Sequence, residues 1–98
     1  VIVVDNGSRG NDADVLEKKY KDNIKLIRNK ENLGFAGGNN VGIKQILKER
    51  KSNYILLLNN DTVVDTKFLT ELVRATKNNE KIGIFQPKML KMANPKII

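Results

Sequence analysis

The 98-residue chain has no cysteine and no histidine. A disulfide-stapled module and a Cys/His zinc site are therefore both excluded. The same two absences, with no serine in a nucleophile-elbow pattern, remove the usual covalent triads, which leaves metal or electrostatic chemistry. No apolar run approaches the ~20 residues that cross a bilayer, and the opening Val1-Ile2-Val3-Val4-Asp5 has neither the basic flank nor the cleavage site of a signal peptide. A cytoplasmic location is expected. The length suits one modest core, so a single domain over residues 1–98 is expected, of which roughly 60–65% of the unfolded surface would be buried.

What the chain has is positive charge and alternation. Eighteen Lys+Arg against 11 Asp+Glu give +7. Clustered, such charge would suit a nucleic acid. Here the basic residues run from Arg9 to Lys96 with acids between them, as on solvated helix faces. A basic nucleic-acid-binding α/β module is the alternative reading, and nucleic acid is not the expected partner. Apolar runs of strand length at residues 1–4, 24–27, 54–58 and 82–85 alternate with stretches of helical period. That pattern predicts a Rossmann-like α/β fold, with about four mostly parallel strands covered by helices on both faces. Asn11 is placed to cap a first helix with Val15, Leu16 and Tyr20 on one stripe. A second carries Val41, Ile43, Ile46 and Leu47. A third, capped by Asp65 or Thr66, buries Phe68, Leu69, Leu72 and Val73.

Ligands of open α/β sheets bind beyond the carboxyl ends of the strands. Three loops fall there. Asp5 ends the first strand, where its carboxylate can accept from a base or ribose, although Asp5-Asn6-Gly7-Ser8 is equally good turn chemistry. Residues 32–40 enter the second helix with closely spaced glycines, which bring backbone N–H groups near phosphate or let the helix pack tightly through Gly38 and Gly42. This loop is not a P-loop, because Ile43 and Lys44 stand where Lys and Ser/Thr are required, and it lacks the dinucleotide fingerprint. Asn59-Asn60-Asp61-Thr62 follows the third run, and Asp61 with a neighbouring amide oxygen makes a partial site for Mg²⁺ or Mn²⁺ that a diphosphate would complete.

Together, Val3-Val4-Asp5-Asn6-Gly7-Ser8, Asn32-Leu33-Gly34-Phe35-Ala36-Gly37-Gly38-Asn39-Asn40-Val41-Gly42-Ile43 and Leu57-Leu58-Asn59-Asn60-Asp61-Thr62 resemble, in order and spacing, the family 2 glycosyltransferases of the GT-A fold. The rhamnosyltransferase-like branch is the nearest in pattern. The resemblance implies transfer of a sugar from a UDP-, dTDP- or GDP-linked donor to a hydroxyl of a glycan or lipid-linked acceptor, assisted by a divalent metal. It implies that Asp5, Asn6, Gly34, Asn40 and Asn60 bind the nucleotide sugar and that Asp61 holds the metal. Residues Asn59 and Asn60 stand where many members carry Asp. The family's usual first strand and helix would precede Val1, and its catalytic base would lie beyond residue 98, so no catalytic residue is assigned here. The chain, ending in mid-pattern at Pro95-Lys96-Ile97-Ile98, is thus expected to be a donor-binding fragment, inactive alone and prone to self-association through an unpaired strand edge. In the whole protein a place at the cytoplasmic face of the membrane would fit.

Overall fold

A computed structural model describes residues 1–77, 81–91 and 93; the run at 95–98 lies outside them. The chain forms two compact units, Val1–Leu58 and Asn59–Ile98. In the first, β1 (Ile2–Asp5) leads through α1 (Asp12–Tyr20) to β2 (Lys25–Arg28), and α2 (Gly34–Glu49) follows. The strands pair in parallel, with Ile2 opposite Lys25 and Asp5 opposite Arg28. The ladder continues at both ends, where Lys25 N–H donates to Val1 O at 2.8 Å and Asn29 N–H to Asp5 O at 2.9 Å. A parallel pair needs a crossover, and α1 supplies it. Both strands therefore end on the same edge, and α2 starts just beyond it.

The helices take their places for different reasons. In α1, Asp12 and Asp14 stand in the first turn and Lys18 and Lys19 in the last, which complements the helix dipole. Asn11 occupies the N-cap without a side-chain capping bond, contrary to the expectation from its type. The buried residue of α1 is Ala13 and Leu16 is half-buried, whereas Val15 and Tyr20 of the expected stripe are 52% and 39% exposed. Arg28 on β2 holds α1 electrostatically, at 2.8 Å from Asp14 and 2.9 Å from Glu17. Those two carboxylates, Asp14 first, raise the Arg28 pKa further above its already high value.

The largest departure in this unit concerns the glycine-rich segment. It reads as a loop, yet it forms the first two turns of α2, beginning at Gly34. Glycine is a poor helix former in isolation, and tertiary packing overrides that preference here. Gly38 and Gly42 are the buried residues of α2. A Cβ on Gly42 would come 3.2 Å from Val4 Cγ2 and 3.9 Å from Ile2 Cγ2, so the helix lies almost directly on β1. Gly42 and the small residues before it permit an approach that a side chain would prevent. At the far end, Arg50 closes α2 in the left-handed conformation (φ 49°), with its N–H donating to Ile46 O. Lys25 Nζ meets Glu49 Oε1 at 2.7 Å and ties α2 back to β2.

In the second unit α3 (Phe68–Lys77) follows a turn at Asn60 and Asp61. Asp65 makes the turn that leads into it: its carboxylate accepts from Lys67 N–H at 2.7 Å and its carbonyl from Phe68 N–H at 3.0 Å. Phe68, Leu72 and Ala75 line an apolar groove of about 430 Å³ with Phe85 and Pro87. Leu69 remains 60% exposed, so only part of the expected stripe is covered.

The expected four strands are two among the described residues. Residues 54–58 and 82–85 have strand composition but no strand structure. A strand is completed by ladder bonds to a neighbour, and no backbone hydrogen bond of that kind involves residues 54–58 among the described residues. Tyr54 and Leu58 are accordingly 58% and 55% exposed, where burial on both faces was expected. Apolar content records a need for cover; the neighbour that provides cover is a separate requirement.

Two measurements check this packing. Gly42→Val, by forcing branched carbons against Val4, is expected to lower stability by about 1–3 kcal/mol in chemical unfolding, the usual cost of overpacking. The bond from Lys25, then that from Gln45, lowers the Glu49 pKa below its ordinary 4.5. The stabilisation from a carboxylate so lowered is complete above pH 4.5 and is lost as pH falls through the folded-state value. Thermal midpoints should fall over that acid range, and Glu49→Gln should flatten this part of the profile.

Candidate functional site

The shared carboxyl edge of β1 and β2 brings Asp5, Asn6, Asn29 and the start of α2 together. Asp5 is the last residue of β1 and is partly buried. Its Oδ1 accepts from Ser8 N–H at 3.1 Å, so the turn reading of this segment is realised. The Ser8 hydroxyl and then the Ser8 amide, aided weakly by Arg28, hold the Asp5 pKa below its ordinary 3.8. Asp5 is therefore a fixed anion at neutral pH. Gly7 has φ +82°, and a Cβ there would fall 2.6 Å from Glu31 C and 2.8 Å from Asn32 N. The loop after β1 and the loop before α2 are in backbone contact at this point.

Asn6 joins them. Its Nδ2 donates to Asn32 Oδ1 at 2.9 Å and to Gly34 O at 3.1 Å. Its Oδ1 accepts from Asn29 Nδ2 at 3.0 Å and from Leu33 N–H at 3.1 Å. Asn32 Oδ1 also accepts from Gly34 N–H at 2.8 Å, which satisfies one of the free amides at the start of α2. Gly34 itself has φ +71° and open space where a side chain would be. Asn39 turns its Nδ2 back onto Phe35 O at 3.0 Å, whereas Asn40 stands exposed on the second turn of α2. Asn40 is thus a residue within the helix and does not belong to a loop. Phe35, beside Gly34, is 72% exposed.

Of the residues singled out in the sequence, Asp5, Asn6 and Gly34 are gathered by these contacts. Asn60 and Asp61 stand on the second unit, in an exposed turn where Thr62 Oγ1 donates to Asn59 O at 2.7 Å. The Asp61 carboxylate and the amide oxygens beside it are hard donors of the kind Mg²⁺ or Mn²⁺ takes. Among the described residues no three acidic, His or Cys side chains gather into a cluster that could hold a metal. Asp61 with its neighbouring amides is therefore at most a partial site, whose remaining ligands would have to come from outside the turn. Asn29 and Asn32 were not singled out individually from sequence. The signal for them was present in the amides at the ends of β1 and β2 and before α2, all on one edge.

Comparison with known proteins matches residues 1–94 to the model of glycosyl transferase family 2. The poly-beta-1,6-N-acetyl-D-glucosamine synthase of Staphylococcus epidermidis is 32% identical over 84 residues, covering 85% of this chain and 19% of that protein. The low-salt glycan biosynthesis hexosyltransferase Agl10 of Haloferax volcanii is 30% identical over 89 residues, 91% of this chain and 28% of that protein. An uncharacterised protein of Methanocaldococcus jannaschii is 31% identical over 87 residues, 86% of this chain and 38% of that one. The chain thus spans well under half the length of these relatives. No solved structure matches. The family match runs through Asp5, the glycine-rich start of α2 and Asp61 alike, and the chain belongs to glycosyl transferase family 2.

Proposed function

We propose that this chain is the nucleotide-diphosphate-sugar-binding portion of a glycosyltransferase. The observation that carries the reading is the Asp5 carboxylate fixed at the carboxyl edge of a parallel pair, in a chain whose family transfers glycosyl groups. Asp5 accepts hydrogen bonds from the base or ribose. Gly34 and Asn40 flank the donor on α2, whose first turn carries no acidic residue and presents its positive end to an anion. Asn6 belongs to the same loop cluster. Asn60 lies by the ribose, and Asp61 holds a divalent metal, Mg²⁺ or Mn²⁺, with donor oxygens completing the coordination. A metal so placed supplies neutralisation of the charge that develops on the departing diphosphate.

Two relatives support a sugar donor, one named a hexosyltransferase and the other a poly-beta-1,6-N-acetyl-D-glucosamine synthase. A UDP-, dTDP- or GDP-linked hexose, rhamnose-like in the branch this sequence resembles, is transferred to a glycan or lipid-linked acceptor hydroxyl. The acceptor site and the base carboxylate lie outside these 98 residues, and the chain alone does not turn over. No helix among the described residues is long and apolar enough to cross a membrane. A cytoplasmic location, at the membrane face in the whole protein, is part of this reading, as is self-association of the isolated chain.

Titration with UDP, dTDP and GDP, with and without Mn²⁺, tests it. One of the three should bind in a metal-dependent manner. Asp61→Ala should abolish the metal dependence, and Asp5→Ala should weaken binding about tenfold to a hundredfold, the loss expected for hydrogen bonds to a charged group. Binding that ignores both substitutions and metal but falls steeply with salt would overturn the reading in favour of a nucleic-acid module. Robust sugar transfer by the 98-residue chain would refute its assignment as inactive.

A further inference from the structure

We propose that Asn6 is a positioning residue: its carboxamide locks the loop after β1 to the start of α2 and thereby sets where Asp5 and Gly34 stand, without touching the ligand itself. The role in donor binding rests on the function proposed above; the lock stands on the geometry. A carboxamide has two donor hydrogens and two acceptor lone pairs. All four are engaged within the chain, by Asn32 Oδ1, Gly34 O, Asn29 Nδ2 and Leu33 N–H. Two of these partners are backbone groups of fixed polarity. Gly34 O can only accept and Leu33 N–H can only donate, so the amide has one permitted orientation. No hydrogen-bonding position of the Asn6 carboxamide is left for a nucleotide.

The surroundings fit the same role. A Cβ on Gly38 would come 3.1 Å from both Cγ and Nδ2 of Asn6 and 3.3 Å from its Oδ1, so the flat amide is seated on the bare backbone of α2. Asn29, directly after β2, closes the arrangement, since its backbone N–H donates to Asp5 O while its side chain donates to Asn6. Asp5 and Gly34 are thus each one residue or one hydrogen bond from the same carboxamide. Loosening it would free both.

The polarity of the lock makes an asymmetric test. Asn6→Asp keeps an oxygen for Asn29 and Leu33 but turns its other oxygen, in place of Nδ2, toward two acceptors, Asn32 Oδ1 and Gly34 O. Asn32→Asp keeps the acceptor that Asn6 and Gly34 N–H use, because both bonds fall on Oδ1. Amide hydrogen exchange in the purified protein should therefore quicken roughly tenfold at Leu33 and Gly34 in Asn6→Asp and Asn6→Ala, and stay within about twofold at Gly34 in Asn32→Asp. UDP affinity in the presence of Mn²⁺ should fall roughly tenfold in the Asn6 variants. Asn32→Ala, which leaves Asn6 intact, should lower UDP affinity in the same direction and keeps the test open if the Asn6 variants do not fold.

Lost UDP affinity in Asn6→Ala with unchanged exchange at Leu33 and Gly34 would mean direct contact and would overturn the proposal. So would equal damage from Asn32→Asp and Asn6→Asp at Gly34, or unaltered affinity in all the Asn6 variants. Failure of the unsubstituted protein to bind UDP, dTDP or GDP would instead overturn the donor reading and the purpose given to the lock, while the exchange results would still decide whether the lock exists.

Discussion

The constraint on which the first unit depends is the close approach of α2 to β1. Gly42 rests against Val4, and Gly38 leaves room for Asn6, so one face of the helix consists of backbone. Such an approach is available only where side chains are missing, and it accounts for a helix that begins inside a glycine-rich run. It also fixes the position of the helix start relative to the end of β1. Every polar feature of the edge is measured from that contact: the fixed Asp5, the positive φ of Gly7 against residues 31 and 32, and the amides that meet at Asn6.

Polarity at this edge is divided between charge and amide. Asp5 supplies the anion, held below its usual pKa by Ser8, and the neighbouring positions are asparagines. Amides suit a structural role next to a charged ligand, because each carries donors and acceptors at once and adds no net charge. An aspartate network of the same shape would repel both itself and a diphosphate. Under the proposed function, the side chains that fix the loops and the carboxylate offered to the donor can therefore share a small space. In the second unit, Asp61 sits among amides in the same manner, with a single carboxylate in its turn.

The β1–α1–β2 order, the parallel pairing and the amphipathic character of α3 were legible in the sequence, because alternation of period and strand composition are local signals. Gly38 and Gly42 as packing residues were also legible as one of two readings, and the structure shows them buried. The start of α2 was not, since glycine content argues against a helix unless the surface beneath it is known. Residues 54–58 and 82–85 depart from their pattern for a complementary reason: their composition is that of covered strands, but ladder partners are a tertiary matter. At the site, Asp5 and Gly34 were correctly placed on one edge. For Asn6 the family resemblance implies a nucleotide contact, whereas the hydrogen-bond geometry engages its whole carboxamide within the chain.

The central claim, that the Asn6 carboxamide holds the edge together and does not bind nucleotide, is tested most directly on its own protons. In side-chain amide NMR the two Nδ2 protons of Asn6 should be protected from solvent and show NOEs to Asn32 and Gly34, and these should persist when UDP and a diamagnetic Mg²⁺ are added. Fast-exchanging protons without those NOEs, or NOEs replaced by contacts to the nucleotide, would contradict it.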